Sequence, residues 1–421
     1  MSTRRAVATA AALLVAVLIV AVSALQVLPS RTHASPTPSP TPPPSPSAPA
    51  PTVRPAPSVV PSSPAPSISP LAGDLLIADR GNDRLLIVTP EHQVVWSMTV
   101  DPGGPLGSAS WGPDDAFFTP DGRQIVINEE NADTVDVIDI AAHRIVWQYG
   151  HTGHAGSAPG YLNGPDDAYM LPDGTIEVAD IRNQRILFIS RAKTIVRQFG
   201  VTNVQRHDPP IAYDAPNGDF PAPGGGTLVT EIGGSWVDRL DASGRLVWSV
   251  HLAGIAYPSD AQLLPNGNVL VVDYSSPGAV EELTPKGGVV WRYRVASGPG
   301  RLDHPSLAMQ LPNGDVVVTD DFGQTVDVID PTTDQIVWQY GHPGLRGHAD
   351  GYLNNPDGLD PVPPSVAQLI ATLPASPPSG TAAPPPSALV PSGSPASSQA
   401  VGSAALASQA VGSAASPSTA P

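Results

Sequence analysis

The chain has 421 residues, with 52 prolines, 39 glycines, no cysteine, and 38 acidic against 21 basic side chains, a formal net charge of −17. Without cysteine there is no disulfide framework, no thiolate metal site and no cysteine nucleophile. All 38 acidic residues lie between Asp74 and Asp360 and four of the basic ones lie upstream, so that stretch carries −21; so acidic a surface repels phosphate backbones and weighs against a nucleic-acid partner.

At the N-terminus Arg4 and Arg5 precede an uncharged run over 6–25, interrupted only by Thr9 and Ser23. About 20 apolar residues suffice to span a bilayer as a helix, whereas a cleavable signal has an apolar region of about 7–15. Residues 1–28 are therefore expected to form a retained transmembrane anchor, N-terminus cytoplasmic and the rest outside the cell. The alternative is cleavage at Val22-Ser23-Ala24 and a secreted protein. Residues 29–72 are almost all Pro, Ser, Ala, Thr and Val, a composition that favours polyproline II and builds no core, so they read as a spacer.

The repeat is clearest at 165–200. Short β-branched runs at 165–171, 175–179, 185–189 and 194–199 are separated by Pro172-Asp173-Gly174 and other polar turns, the pattern of four strands joined by hairpins. Aligning copies on the first turn gives six second-strand openings, at Gly73, Gly122, Gly174, Gly225, Gly267 and Gly314. Six residues on stand Asp79, Asn128, Asp180, Glu231, Asp273 and Asp320. This pitch predicts an all-β, six-bladed β-propeller over 73–362. The array begins with a second strand and ends, at 355–362, with what reads as a first strand. One blade is thus expected to be closed by pairing of the N- and C-terminal strands, leaving no open edge. Residues 363–421 carry no charge and include two copies of Ser-Gln-Ala-Val-Gly-Ser-Ala-Ala, so they read as a disordered tail.

Asp79-Arg80-Gly81-Asn82-Asp83-Arg84-Leu85 and Asp180-Ile181-Arg182-Asn183-Gln184-Arg185-Ile186 resemble the D-x-G-N-x-R-I signature of NHL-repeat propellers. Neither the Asn nor the Arg is kept after Glu231 or Asp273. Trp96, Trp147, Trp248, Trp291 and Trp338 close the fourth strands, with Arg197 in the remaining blade, a pattern similar to quinoprotein-type propeller repeats. Both resemblances imply the fold and no particular reaction.

Strand alternation puts Asp79, Asp180, Asp273 and Asp320 on one rim with Asp114, Asp115, Asp166, Asp167, Asp260 and Asp357 at the heads of the inner strands. Such a ring suits a hard cation such as Ca²⁺, or else each aspartate accepts N–H groups of its own turn. Three long Gly-rich connections, 101–112, 151–164 and 342–355, precede blades 2, 3 and 1, two of them with Gly-Tyr-Leu-Asn. Together they are expected to wall a pocket with Trp111, Tyr161 and Tyr352 as apolar contacts and Asp115, Asp167, His151 and His342 as polar ones; alternatively the Tyr and Leu of the string plug the gaps between blades. The spacing of His151, His154, His342 and His348 matches no zinc signature, so no metal ligand is assigned. His304 and the His207-Asp208 pair also precede inner strands, and Asn266-Gly267-Asn268 followed by Val290-Trp291 is similar to arylsulfotransferase propellers, a resemblance that implies histidines near the channel. The function expected is that of a membrane-tethered extracytoplasmic module binding a polymer, peptide or small ligand. The alternative is an extracytoplasmic enzyme: a lyase or hydrolase, an arylsulfotransferase-like enzyme or a quinone-dependent oxidoreductase.

Overall fold

The computed structural model describes residues 69–100 and 112–374. They form six four-stranded antiparallel sheets, each a blade running from an inner to an outer strand. The inner strands of blades 2 to 6 are Ala116–Phe118, Pro165–Met170, Pro216–Pro221, Pro258–Leu263 and Pro305–Gln310. Blade 1 takes its inner strand, Pro356–Pro361, from the other end of the array: Leu75 pairs with Pro361, Leu76 with Asp360 and Ile77 with Leu359. The all-β, six-bladed architecture and its closing seam are as the repeat alignment predicts.

Each blade is packed between two others, and its second strand is buried throughout in Leu75–Asp79, Ile176–Asp180 and Val316–Asp320. The tryptophans of the outer strands staple neighbouring blades together. The indole N–H groups of Trp96, Trp147 and Trp338 donate to the carbonyls of Ile140, Arg191 and Pro90, and that of Trp291 to Asp334, each in the outer hairpin of the next blade. Where the tryptophan is missing, Arg197 donates from Nη1 to the Ala242 carbonyl at 3.1 Å and does the same job.

Two boundaries move. Leu71, assigned to the spacer by composition, is buried in the core cluster that contains Leu75 and Leu359, so the domain starts before Gly73. The tail expected to be structureless from 363 instead opens with a helix, Pro364–Thr372, whose Val366 and Ile370 are buried against Leu76, Ile87 and Ile125. Low complexity hid an i, i+4 apolar pair that covers the seam between blades 1 and 2. Among the described residues no helix is long and apolar enough to cross a membrane. The anchor expected over 6–25, most of the spacer, Trp111 and the tail from 375 lie outside them.

Candidate functional site

A proline heads the inner strands of blades 1 and 3 to 6, where the ladder to the second strand slips just after it, and in blade 2 Pro113 stands three residues ahead of the strand. Such a bulge suspends the strict alternation of side chains, and two consecutive residues then serve the channel. The first of each pair, Asp114, Asp166, Asn217, Ser259, Ser306 and Asp357, together line a cavity of about 90 Å³ at one mouth of the channel. Arg80, Glu130, Ile181, Tyr257 and Tyr274 complete its wall.

The second of each pair forms a deeper tier, in which Asp115, Asp167 and Asp260 are all buried. Two small residues make room for them. A Cβ on Gly218 would lie 2.9 Å from Asp260 Oδ1 and 3.1 Å from Asp167 Oδ2, and one on Gly358 would collide with Asp115. Asp219, one residue further along, is fully buried, and neither of its oxygens nor Asp260 Oδ1 has a hydrogen-bond partner. Below this tier the stacked rings of Phe117 and Tyr169, 4.0 Å apart, with Phe220 edge-on to Tyr169, plug the channel. The opposite mouth is mostly apolar, lined by Phe117, Tyr169, Phe220 and Met309.

One basic side chain answers the acidic ring. Arg80 reaches inward from the first turn of blade 1 and pairs with Asp114, with Asp357 at 2.7 Å and with Glu130 at 2.9 Å. Burial, and then the neighbouring carboxylates, push Asp115 and Asp167 well above the usual carboxylate range. Burial raises Asp166 to about 8 and Asp260 to about 6. Unless further positive charge enters, such burial favours the protonated carboxyl. Beside the ring stands an aromatic wall from blades 5 and 6. Tyr274 lies 5.3 Å from Tyr257 and 4.9 Å from His304, whose ring is 4.5 Å from the half-exposed Phe322.

The second-strand acids play a different part from the inner pairs. Asp79, Asp180, Asp273 and Asp320 share the rim, but they sit beneath the loops entering their own blades. They accept backbone N–H groups from Asn354, Asn163, Ala256 and Asp303 respectively, and Asp320 also accepts one from Gly323 of its own turn. In blades 1 and 3 the Asn and Arg of the D-x-G-N-x-R signature finish the clamp. Asn82 and Arg84 hold the carbonyls of Gly347, His348 and Tyr352, and Asn183 and Arg185 hold those of Gly156 and Ser157. The signature is thus a socket for the Gly-Tyr-Leu-Asn loop, and blades 4 and 5, which lack that loop, lack the Asn and Arg.

Of the residues singled out by sequence, Asp115 and Asp167 meet in the channel. His151 packs on Tyr161 at 4.3 Å and His342 on Tyr352 at 4.0 Å, each pair inside its own loop and outside the mouth cavity. The gap between blades is filled by Leu162 and Leu353, both fully buried, while the tyrosines are half-buried. Sequence reasoning missed Asp219, Arg80, Glu130 and the aromatic wall. Aligning the blades on their inner-strand prolines, as Pro-Asp-Asp, Pro-Asn-Gly-Asp, Pro-Ser-Asp, Pro-Ser-Leu and Pro-Asp-Gly, would have exposed the two tiers. A groove of about 710 Å³ between blades 5 and 6 also carries acids, but Asp327 is bonded to Gln339, Asp334 to Trp291 and Asp303 to Arg301.

No family model matches the chain, and no curated protein matches it. The NHL likeness therefore stays with the motif residues. Among solved structures, a protein of unknown function from Bacteroides caccae is similar with a TM-score of 0.50 and 19% identity, over 69% of this chain and 98% of that one. Virginiamycin B lyase from Staphylococcus aureus gives 0.40 and 16%, over 55% and 70% of the two chains. A streptogramin B lyase gives 0.41 and 17%, over the same shares. At 19% identity the likeness to the Bacteroides caccae protein is one of fold alone.

Proposed function

We propose that the protein is a binding module that takes a cationic group, an ammonium or guanidinium on a peptide or small molecule, into the acidic mouth of its channel. The observation that carries this reading is Arg80: the ring already holds one guanidinium between Asp114, Asp357 and Glu130, and acids remain in excess around it. The free space beside it, lined by Asp166, Asn217, Ser259 and Ser306, has the size of one small charged group. Tyr257 and Tyr274 offer ring faces to its apolar part and to the cation itself. Calorimetric titration with a panel of diamines and lysine- or arginine-ended peptides tests this. Binding that disappears on N-acetylation and in Asp166→Asn supports it, and binding indifferent to both overturns it.

A second reading has its own support. The partnerless oxygens of Asp219 and Asp260 beside Asp115 and Asp167 are what a Ca²⁺ in the deeper tier would satisfy. Equilibrium dialysis with ⁴⁵Ca²⁺ separates the two, since only a Ca²⁺ site is lost in Asp260→Asn while amine binding persists.

The extracellular, membrane-tethered setting belongs to the same proposal and rests on the apolar run over 6–25. Sequencing the mature N-terminus tests it: a start near Leu25 would replace the anchor by secretion.

A further inference from the structure

Blade 4 differs from the others in one buried place. At the centre of the third strand, blades 2, 5 and 6 carry Asp136, Glu281 and Asp327, each opposite a long donor on the outer strand: Gln148, Arg292 and Gln339. Those donors reach their carboxylates at 3.3, 2.6 and 2.7 Å. In blades 2 and 6 a threonine two positions earlier adds a hydroxyl, Thr134 to Asp136 and Thr325 to Asp327. Blade 4 keeps the acid, Asp238, but has neither the long donor nor the threonine. Ser249 stands opposite it and Trp236 takes the threonine position. Asp238 is fully buried, and neither of its oxygens makes a hydrogen bond of ordinary geometry.

What the blade brings instead are two metal-ligating groups. Glu231 ends the second strand in place of the usual aspartate, and His207 comes from the connection between blades 3 and 4. His207 Nδ1 lies 2.7 Å from Glu231 Oε1 and 4.0 Å from Asp238 Oδ2, and one ligand atom from each of the three falls within 4.8 Å of the others. Two ligands of a tetrahedral Zn²⁺ at about 2.0–2.1 Å stand about 3.4 Å apart, a value the two observed distances bracket. The imidazole is fixed for such a role. Trp236 stacks on it at 3.9 Å and 11°, and Ser249 Oγ sits 3.3 Å from Nε2. With Nδ1 on a metal, Nε2 carries the proton and donates to Ser249, the outer contact that a metal-bound histidine ordinarily makes. Glu231 Oε2 is tied to the Asp214 amide, and the His207 side chain, 24% exposed, leaves a way in for the ion and a fourth position for water.

We propose that His207, Glu231 and Asp238 form a binding site for a borderline divalent metal ion of the Zn²⁺ class, separate from the channel, although no histidine spacing announces it. One imidazole with two carboxylates suits such an ion, while an all-oxygen set suits Ca²⁺ or Mg²⁺.

The test uses the full chain stripped with EDTA and titrated with Zn²⁺ by calorimetry, with Co²⁺ as a spectroscopic substitute. One site is expected whose affinity falls more than about 100-fold in His207→Ala and in Asp238→Asn, but is kept in Asp166→Asn, with Co²⁺ giving intense visible bands of a tetrahedral ion. Ser249→Ala retains all three ligands and is expected to weaken binding about 10-fold, which keeps the test alive if a ligand variant does not fold. Unchanged Zn²⁺ affinity in the folded ligand variants, or equal competition by Ca²⁺, overturns the proposal. So does Ser249-dependent hydrolysis of an activated ester by metal-free protein, since Ser249, His207 and Glu231 would then be acting as a nucleophile with its base.

Discussion

Arg84 donates from Nη2 to the carbonyl oxygen of Tyr352 at 2.9 Å, across 268 positions of sequence, while its Nε binds the buried Asp79 at 2.6 Å. One side chain thus neutralises an acid inside the first blade and pins the last loop of the array onto it. Arg185 repeats the arrangement with Asp180 and Ser157.

Removing that arginine strands a buried carboxylate. Arg84→Ala is expected to cost about 3–5 kcal/mol, the usual result of breaking a buried ion pair from one side. Arg182→Ala, which breaks a pair between Glu130 and a half-exposed arginine, is expected to cost less than about 1 kcal/mol. Urea unfolding of the two variants side by side gives the comparison, and similar losses would contradict the clamp.

Leucine, rather than tyrosine, is the plug of the Gly-Tyr-Leu-Asn loops. Leu353→Ala removes a fully buried side chain from the core cluster of blades 6 and 1 and is expected to cost about 2–5 kcal/mol. Tyr352→Ala, which loses mainly a ring contact with His342, is expected to cost clearly less. Thermal unfolding ranks the pair, and the reverse order would return the tyrosine to the core.

The acidic channel should weaken the fold as pH rises. The unfolded chain releases carboxyl protons near pH 4, whereas the folded chain holds that of Asp260 to about 6 and that of Asp166 to about 8. Between pH 4 and 8 the folded state therefore binds more protons, and stability falls with rising pH across that window. Asp166→Asn removes its share of the penalty. Its melting temperature is expected to match the parent at pH 4 and exceed it at pH 8, and equal melting at both would refute the placement.

Binding should run the other way. A cation entering the mouth favours ionised Asp166, so affinity for a diamine is expected to rise from pH 6 to pH 9, as long as the amine stays protonated. Titrations across that range check it, and affinity flat with pH would speak for a ligand held elsewhere.

Truncation separates the seam from its cover. A chain ending before Pro356 loses the inner strand of blade 1 and is expected to aggregate, since an open edge of a buried sheet invites pairing. One ending at Pro363 keeps the ring and loses the helix, so Val366 and Ile370 no longer shield Leu76 and Ile125. It is expected to stay monomeric and melt lower. Gel filtration and calorimetry distinguish the cases.

The propeller was legible from residues 73–362 because its cause is local. Alternating apolar runs, glycines at the turns and a constant pitch fix strands and their partners within one blade, and five whole blades with three strands of a sixth at one end and its inner strand at the other can bury their faces only by closing. The sequence by itself also located the acids that head the inner strands, since strand direction alone puts them at one mouth. What it did not determine is which acid faces what. Asp79 and Asp115 look alike in the chain, yet the first is capped by a loop arriving from Asn354 and the second, just ahead of its inner strand, faces Asp167 inside the channel. The same holds for Asp238, set apart from Asp327 by a serine across the sheet, a tryptophan in the threonine's place and a histidine from the preceding connection, and for the helix at 364–372, whose two apolar side chains gain meaning only against blades 1 and 2. Partners tens to hundreds of residues away make these differences, and only the closed ring brings them within reach.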